Sequence, residues 1–307
     1  MDWRMKGLVQ KALSSLPGGV RMNTSLQSIV GAMRNFDSNA ASKISDWRAS
    51  MGYLADANFR LEGARLVEIG TGWYPAFPLC FALTGAGSVR SFDVTRLLRE
   101  KPAFRFPAGL ENHLSSIADL AGVSQVAVHA RFAEFRQSEN LAQFFNKTGI
   151  EYSAPADGRD TGLEADSIDL VYSNSVLSHI PRQVVAELMA ESFRILKPGG
   201  LIMHNICCND HYAYFDKSIS FVNFLKYDEQ SWRLWNNSLQ YQNRLRAPKF
   251  LELAAGAGFE VIQKKTDVRA GTFEALSSLR LAPEFERFSK EDVAATTLDF
   301  IARKPVR

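Results

Sequence analysis

Between residues 65 and 206 the chain alternates short apolar runs with stretches whose apolar residues recur at helical spacing. The runs Leu66-Val-Glu-Ile69, Ser88-Val-Arg-Ser-Phe92 and Ile150-Glu-Tyr-Ser153 read as strands. So do Ile168-Asp-Leu-Val-Tyr172 and Leu201-Ile-Met-His204. Each opens into a polar or glycine-containing loop. Strands alternating with helices predict an α/β fold, a parallel sheet with helices on both faces. Lys197 in the last turn of a helix and Gly199 just past it are what a helix end prefers. Further on, a helix over 248–257, a strand near Val261 and a closing antiparallel strand over 296–302 complete the pattern.

Two stretches exceed what such a sheet needs. Between residues 95 and 149, the segments 110–121 and 133–145 carry apolar residues at helical spacing and predict an inserted helical subdomain. A second insertion covers 207–245. Ahead of the sheet, residues 1–60 form a helical cap. In it Met5, Leu8, Val9, Ala12, Leu13 and Leu16 share one helical face, with Arg4, Lys6 and Lys11 on the rest. A basic amphipathic helix of this kind rests on an anionic membrane surface or packs over its own domain, which leaves residues 1–16 as a candidate peripheral membrane contact. Residues 40–60, with Trp47, Met51, Tyr53, Leu54 and Phe59, predict a second helix able to lid a ligand.

Composition narrows the partners. A net charge of +3, with no dense basic stripe, argues against nucleic acid. Three cysteines, two of them adjacent at 207 and 208, fit neither a disulfide framework nor a zinc pattern, and no metal site is expected. Reduced core thiols, no membrane span and no signal peptide suggest a cytoplasmic protein.

The candidate chemistry begins at Glu68-Ile-Gly70-Thr71-Gly72. A strand that ends in Gly-x-Gly lets the backbone turn tightly and approach a ligand closely. A dinucleotide fingerprint would carry a third glycine where this chain has Pro75, so the cradle suits a nucleoside without a pyrophosphate. Asp93 ends the second strand some twenty residues on, where a carboxylate accepts from ribose hydroxyls. Its competing role is to cap the segment that follows. Downstream come Ala156-Asp157 in a loop, and Ser173-Asn174 where the fourth strand opens.

The order Glu68-x-Gly-x-Gly, Asp93, Ala156-Asp157, Ser167-Ile-Asp-Leu-Val171 and Leu196-Lys-Pro-Gly-Gly200 resembles the class I S-adenosylmethionine-dependent methyltransferases of the type 11 kind. The resemblance runs from about residue 65 to 201. It implies a Rossmann-like, seven-stranded, mostly parallel sheet with helical insertions, and S-adenosyl-L-methionine as cofactor. It also implies that Gly70, Thr71 and Gly72 wrap the methionine portion while Glu68 holds the base of the loop. Asp93 would take the ribose, and Val94 would pack on the adenine. Ala156 and Asp157 would meet the adenine edge, and Ser173 or Asn174 would lie beside the sulfonium. Trp73-Tyr-Pro75 departs from the smaller residues common there.

The 207–245 insertion is where acceptor choice is expected, because loops at strand ends carry specificity. Tyr212, Tyr214, Asn223, Trp232, Tyr241 and Arg244 are its candidate binding residues. Their aromatic planes and polar side chains suit a small molecule or a glycan, although helical spacing also predicts that part of this set is core. The segments Asp210-His-Tyr212 and Tyr241-Gln-Asn-Arg-Leu-Arg246 resemble methyltransferases of surface polysaccharides. An alcohol acceptor calls for a general base, for which His211 stands first, Asp210 next as orienter or alternative, and His179 after them. The readings compared are O-methylation of a small polar or sugar-like acceptor, N-methylation, a nicotinamide oxidoreductase disfavoured by Pro75, and a non-catalytic cofactor-binding module.

Overall fold

The computed structural model describes residues 2–16 and 36–306. The part of the predicted N-terminal cap over 17–35 therefore lies outside the described residues. Seven strands form one sheet: β1 (Arg65–Ile69), β2 (Ser88–Phe92), β3 (Ile150–Ser153), β4 (Ile168–Asn174), β5 (Leu196–Cys207), β6 (Glu260–Asp267) and β7 (Thr297–Arg303). Their order is β3-β2-β1-β4-β5-β7-β6. The first five are parallel, and β7 runs antiparallel between β5 and β6. The seven-stranded, mostly parallel sheet expected from the sequence is therefore present.

Successive side chains of a strand point to opposite faces, so each central strand feeds two cores. Leu66, Leu170 and Tyr172 face one core with Trp47, Phe77 and Phe81. Val67, Ile69 and Val171 face the other with Val185, Leu188 and Phe250. On the first face lie α1 (Trp3–Ser14)'s successor α2 (Phe36–Asp56) and α3 (Ala76–Leu83), all eight residues of which are buried. Trp47, Met51 and Leu54 of α2 point into this core, with Trp47 against Phe81 at 5.9 Å between rings. Of the residues expected to form a lid, these three are therefore core.

Between β2 and β3 the spacing predicts two helices and the structure has four: α4 (Glu100–Leu110), α5 (Leu114–Ala121), α6 (Gln125–Arg136) and α7 (Leu141–Thr148). The extra breaks are local. Gly122 takes a left-handed turn after α5, and Ser124 and Asn140 cap the next two helices through their side chains. A second departure lies at α8 (Arg182–Ile195), which ends two residues before Lys197. Leu196 is already extended, and Lys197 pairs with Asp169 at 2.6 Å across to β4. The Pro-Gly-Gly turn is thus an irregularity within β5 and not a helix cap.

The α1 helix packs with the face that spacing alone would turn outward. Trp3, Gly7 and Gln10 are buried, whereas Met5, Leu8, Val9 and Leu16 are exposed. Trp3 sits among Tyr212, Tyr227 and Trp235, and its rings lie 5.1 Å from those of Tyr212 and Trp235. The 207–245 insertion is closed by this contact into a third small core of Trp3, Tyr212, Phe224, Trp232 and Phe285. No helix among the described residues is long and apolar enough to cross a membrane.

Candidate active site

The site is built at the carboxyl ends of β1, β2, β4 and β5, where an open α/β sheet presents its loops. After β1 the chain turns through Gly70 and Gly72, at φ +80° and +68°. The Gly70 amide donates to the Phe92 carbonyl at 3.0 Å, which pins the turn to β2. A Cβ on Gly70 would lie 2.6 Å from a methyl of Val176, so the turn is closed against the β4 loop as well as left-handed. The Gly72 amide and the Tyr152 hydroxyl both donate to Asp93 Oδ2, each at 3.1 Å. Burial pushes the Asp93 carboxyl up to about 6, against the pull of these bonds.

Glu68 is the buried base of the loop. One of its oxygens accepts from the Thr71 and Ser91 hydroxyls, the latter at 2.8 Å. Burial raises its pKa from 4.5 to about 7, opposed by these two bonds. A carboxyl raised in this way stabilises the fold only while protonated, so its contribution is lost as pH climbs from about 4.5 through 7. Glu68→Gln should therefore raise the thermal midpoint at pH 8 and change it little at pH 5. The gain is capped at about 3 kcal/mol by the size of the shift. Equal melts at pH 8 would show that Glu68 is not a buried charge.

Other predicted cofactor residues separate by environment. Val94 stands 75% exposed beside the cradle, an apolar side chain open to a flat partner. The Ala156 amide donates to the Asp93 carbonyl at 2.8 Å, which fixes the loop after β3 to the end of β2. Asp157 already holds Arg159, which reaches on to Glu187, both ion pairs being 2.6 Å. A contact from Asp157 to a base must share its carboxylate with that arginine. Of the pair that ends β4, Ser173 is fully buried on His204 Nδ1 at 2.8 Å, so only Asn174 faces the site.

Beside Asn174 lies a chamber of about 270 Å³, roofed by Asp46 and Tyr53 of α2 and floored by Cys207, Asp267 and Asp299. Lys43 of α2 donates to Asn174 Oδ1, and Asn174 Nδ2 donates to Asp46 at 3.2 Å. Asp299 accepts from Tyr53 at 3.1 Å and from Asn205 at 2.9 Å, and burial holds its carboxyl above the ordinary range. Of these residues only Tyr53 was named from the sequence, as part of the lid helix; Lys43, Asp46, Asn205 and Asp299 were not singled out. The available signal was a polar residue inside an apolar strand, as at Asn205 and Asp299.

The histidine candidates meet behind Cys207. The rings of His179 and His211 are 4.6 Å apart in an edge-to-face arrangement. His211 Nε2 lies 3.3 Å from Cys207 Sγ, and His179 Nδ1 lies 2.8 Å from the Tyr241 carbonyl. Burial pushes both imidazoles down to about 4, so both are neutral at physiological pH. Asp210 does not serve as an alternative base. It is fully buried, and its oxygens accept from the Tyr212 amide at 2.9 Å and Asn223 at 3.2 Å. Burial raises its carboxyl to about 6.

Four of the expected acceptor residues are likewise structural. Tyr212 and Trp232 are core, and Asn223 is spent on Asp210. Arg244 is buried on Glu229 and Glu284 at 3.0 and 2.9 Å and on two backbone carbonyls. An aromatic-rich segment this size closes its own satellite core, and only Tyr214 and Tyr241 keep exposed surface. Among the described residues no group of three or more His, Cys, Asp or Glu is placed to hold a metal.

A glycine turn closed against two loops, a buried carboxylate at the end of β2 and a chamber beside the fourth strand are the marks of an α/β protein with a ligand site at its strand ends. A family profile described as a methyltransferase domain matches residues 36–264, and the chain belongs to that family. It is an S-adenosylmethionine-dependent methyltransferase. The residues present fit the cofactor, since the cradle has no room for a Cβ at Gly70 and Asp93 offers a carboxylate for a vicinal diol. No curated protein matches significantly. Solved structures similar to the chain include a putative sarcosine dimethylglycine methyltransferase from Galdieria sulphuraria, at 16% identity and TM-score 0.44 over 85% of this chain and 84% of that one. Another is the geranyl diphosphate C-methyltransferase from Streptomyces coelicolor, at 12% identity and TM-score 0.45 over 83% and 80%. A third, an S-adenosylmethionine-dependent methyltransferase from Methanosarcina mazei, has 16% identity and TM-score 0.44 over 80% and 94%.

Proposed function

We propose that the enzyme methylates a small polar acceptor seated in the chamber between α2 and the ends of β4, β5 and β7. The observation that carries this reading is the chamber itself, which begins at Asn174 and is lined by hydrogen-bonding side chains. When bound, S-adenosylmethionine supplies an electrophilic methyl on a sulfonium. The chain's own work is to hold the acceptor in line with it and keep water out, and orientation then supplies much of the acceleration.

For a hydroxyl acceptor, the proposed proton acceptor is His211. Its imidazole is neutral, and its neighbour Cys207 lines the chamber. A base held at about 4 stays competent in mild acid, so at saturating cofactor kcat/KM for the acceptor should fall only below about pH 5, not near the ordinary histidine pKa. His211→Ala should lower turnover about a hundredfold with cofactor affinity unchanged. An unchanged rate on an alcohol would remove His211 from the mechanism. A sugar-like acceptor in the chamber would meet the ring of Tyr53, while Tyr214 and Tyr241, the expected residues that keep exposed surface, lie outside its lining.

The second reading is N-methylation, and the chamber's three carboxylates favour it. Asp46, Asp267 and Asp299 suit the cationic part of an amine-bearing molecule, although Lys265 lies 3.6 Å from Asp267. A nitrogen lone pair needs no base at the moment of transfer. Formation of S-adenosylhomocysteine with matched panels of alcohols and amines, in wild type and His211→Ala, separates the two readings. Turnover of alcohols that collapses in the variant supports the first, and turnover of amines that persists supports the second.

A further inference from the structure

A cavity of about 10 Å³ shares Cys207 with the chamber. Ser178, Asn209, Gln242 and Arg244 all line it. Each carries a buried polar atom with no protein partner: Ser178 Oγ, Asn209 Oδ1, Gln242 Nε2 and Arg244 Nε. All four residues are more than nine-tenths buried. A buried polar group without a partner costs about 1–3 kcal/mol, so four around one void is not a state that a stable fold keeps dry.

We infer that this cavity is a binding site for a single water molecule. The volume is that of about one water-sized probe sphere, the smallest space that holds a water. The chemistry is also complementary. Gln242 Nε2 and Arg244 Nε can only donate, Asn209 Oδ1 can only accept, and the serine hydroxyl does either. One water accepts two bonds and donates two, which satisfies the whole set. Other occupants fail on the same accounting. An ammonium or metal cation has no acceptor for the two N–H groups, and an anion would oppose Asn209 Oδ1. The guanidinium charge of Arg244 is already met by Glu229 and Glu284.

The amide orientations are fixed from the other side, so the donor and acceptor roles are not interchangeable. Gln242 Oε1 accepts from the His211 amide at 3.3 Å. Asn209 Nδ2 donates to the Tyr214 hydroxyl at 2.9 Å and contacts Cys207 Sγ at 3.4 Å. The water therefore adds a shared contact to three loops already tied by the Gln242 side chain on the His211 amide and the Asn243 side chain on the Leu177 and Ile180 carbonyls. One is the β4 loop carrying His179, another is the β5 loop running to His211, and the third is the returning strap 241–245.

A crystal structure of the full chain at about 1.5 Å resolution should show one ordered water within hydrogen-bonding distance of all four atoms. Density for an empty cavity, or for the four groups paired with one another, would overturn the site. Ser178→Ala gives an independent reading, because its hydroxyl has no other partner. With water bound, the variant loses one of the water's four contacts, and its thermal midpoint should fall by about 2–4 °C. If the cavity is dry, deleting an unsatisfied hydroxyl leaves the midpoint unchanged or raises it, and the proposal fails.

Discussion

Asp93→Ala should weaken binding of S-adenosylhomocysteine by at least about a hundredfold while the protein stays folded. The carboxylate stands at the end of β2 facing the glycine turn, and a vicinal diol would give it two hydrogen bonds to a charged acceptor. Each such bond contributes about 1.5–3 kcal/mol, and 1.4 kcal/mol is tenfold in affinity. The side chain also fixes its own surroundings, because Gly72 and Tyr152 both donate to Oδ2. Asp93→Asn keeps one acceptor oxygen but adds an amide that opposes one of the donors, and should lose nearly as much. The acid limb follows from the same burial. With its carboxyl at about 6 in the free enzyme, Asp93 must shed a proton before it can accept two hydroxyls. Affinity should therefore fall by about tenfold between pH 7 and pH 5 in the wild type. That slope should vanish in Asp93→Ala. Calorimetry at three pH values measures all of this, and an alanine variant that binds as tightly as wild type would place the ribose elsewhere.

The cradle was legible because its signals are local. A strand, a left-handed glycine turn and a carboxylate at the end of the next strand each declare themselves within a few residues. The chamber was not, because its parts come from opposite ends of the chain. Tyr53 meets Asp299 across 246 residues, and nothing near either residue announces the other. Periodicity also misled at α1. Its long aliphatic stripe, Met5 to Leu16, is the more apolar face by count, yet the buried face is Trp3, Gly7 and Gln10. One indole buries a large area, and Gly7 lets the Tyr212 hydroxyl approach to where a Cβ would sit 3.2 Å from it. The aromatics of the 207–245 insertion were ambiguous for a related reason. Density of Trp and Tyr marks either a pocket or a small core, and the tie was broken by Trp3, a residue from outside the segment. Asp210 beside His211 suggested a catalytic pair, but a side chain that caps the turn starting at its own neighbour points away from that neighbour's ring.

Arg246→Met should be the most destabilising single change in the acceptor half, at about 3 kcal/mol. Arg246 is fully buried, and its three donors go to backbone carbonyls. Nη1 reaches Cys208 at 2.9 Å, Nε reaches Asp292 at 3.2 Å, and Nη2 reaches Ala295. Burial lowers its pKa, but a guanidinium stays charged, so the cost of burying it is borne by these bonds. Methionine fills much of the volume and supplies no donor. Three carbonyls are then stranded in the interior, each at about 1–3 kcal/mol, partly offset by the charge no longer buried. Arg246→Lys should recover less than half, because one ammonium cannot reach three carbonyls held in a fork. The carbonyls also sit where function is built. Cys208 follows Cys207 at the end of β5, and Ala295 precedes the start of β7, so the same side chain ties two walls of the chamber. Under conditions where the variant remains folded, the acceptor KM should rise while the affinity for S-adenosylhomocysteine, set at β1 and β2, holds. Urea midpoints for the three proteins, with both binding measurements, check the two halves of the claim. An unshifted midpoint would mean that the carbonyls find other partners, and a parallel loss of cofactor affinity would mean that the two halves of the site are not separately supported.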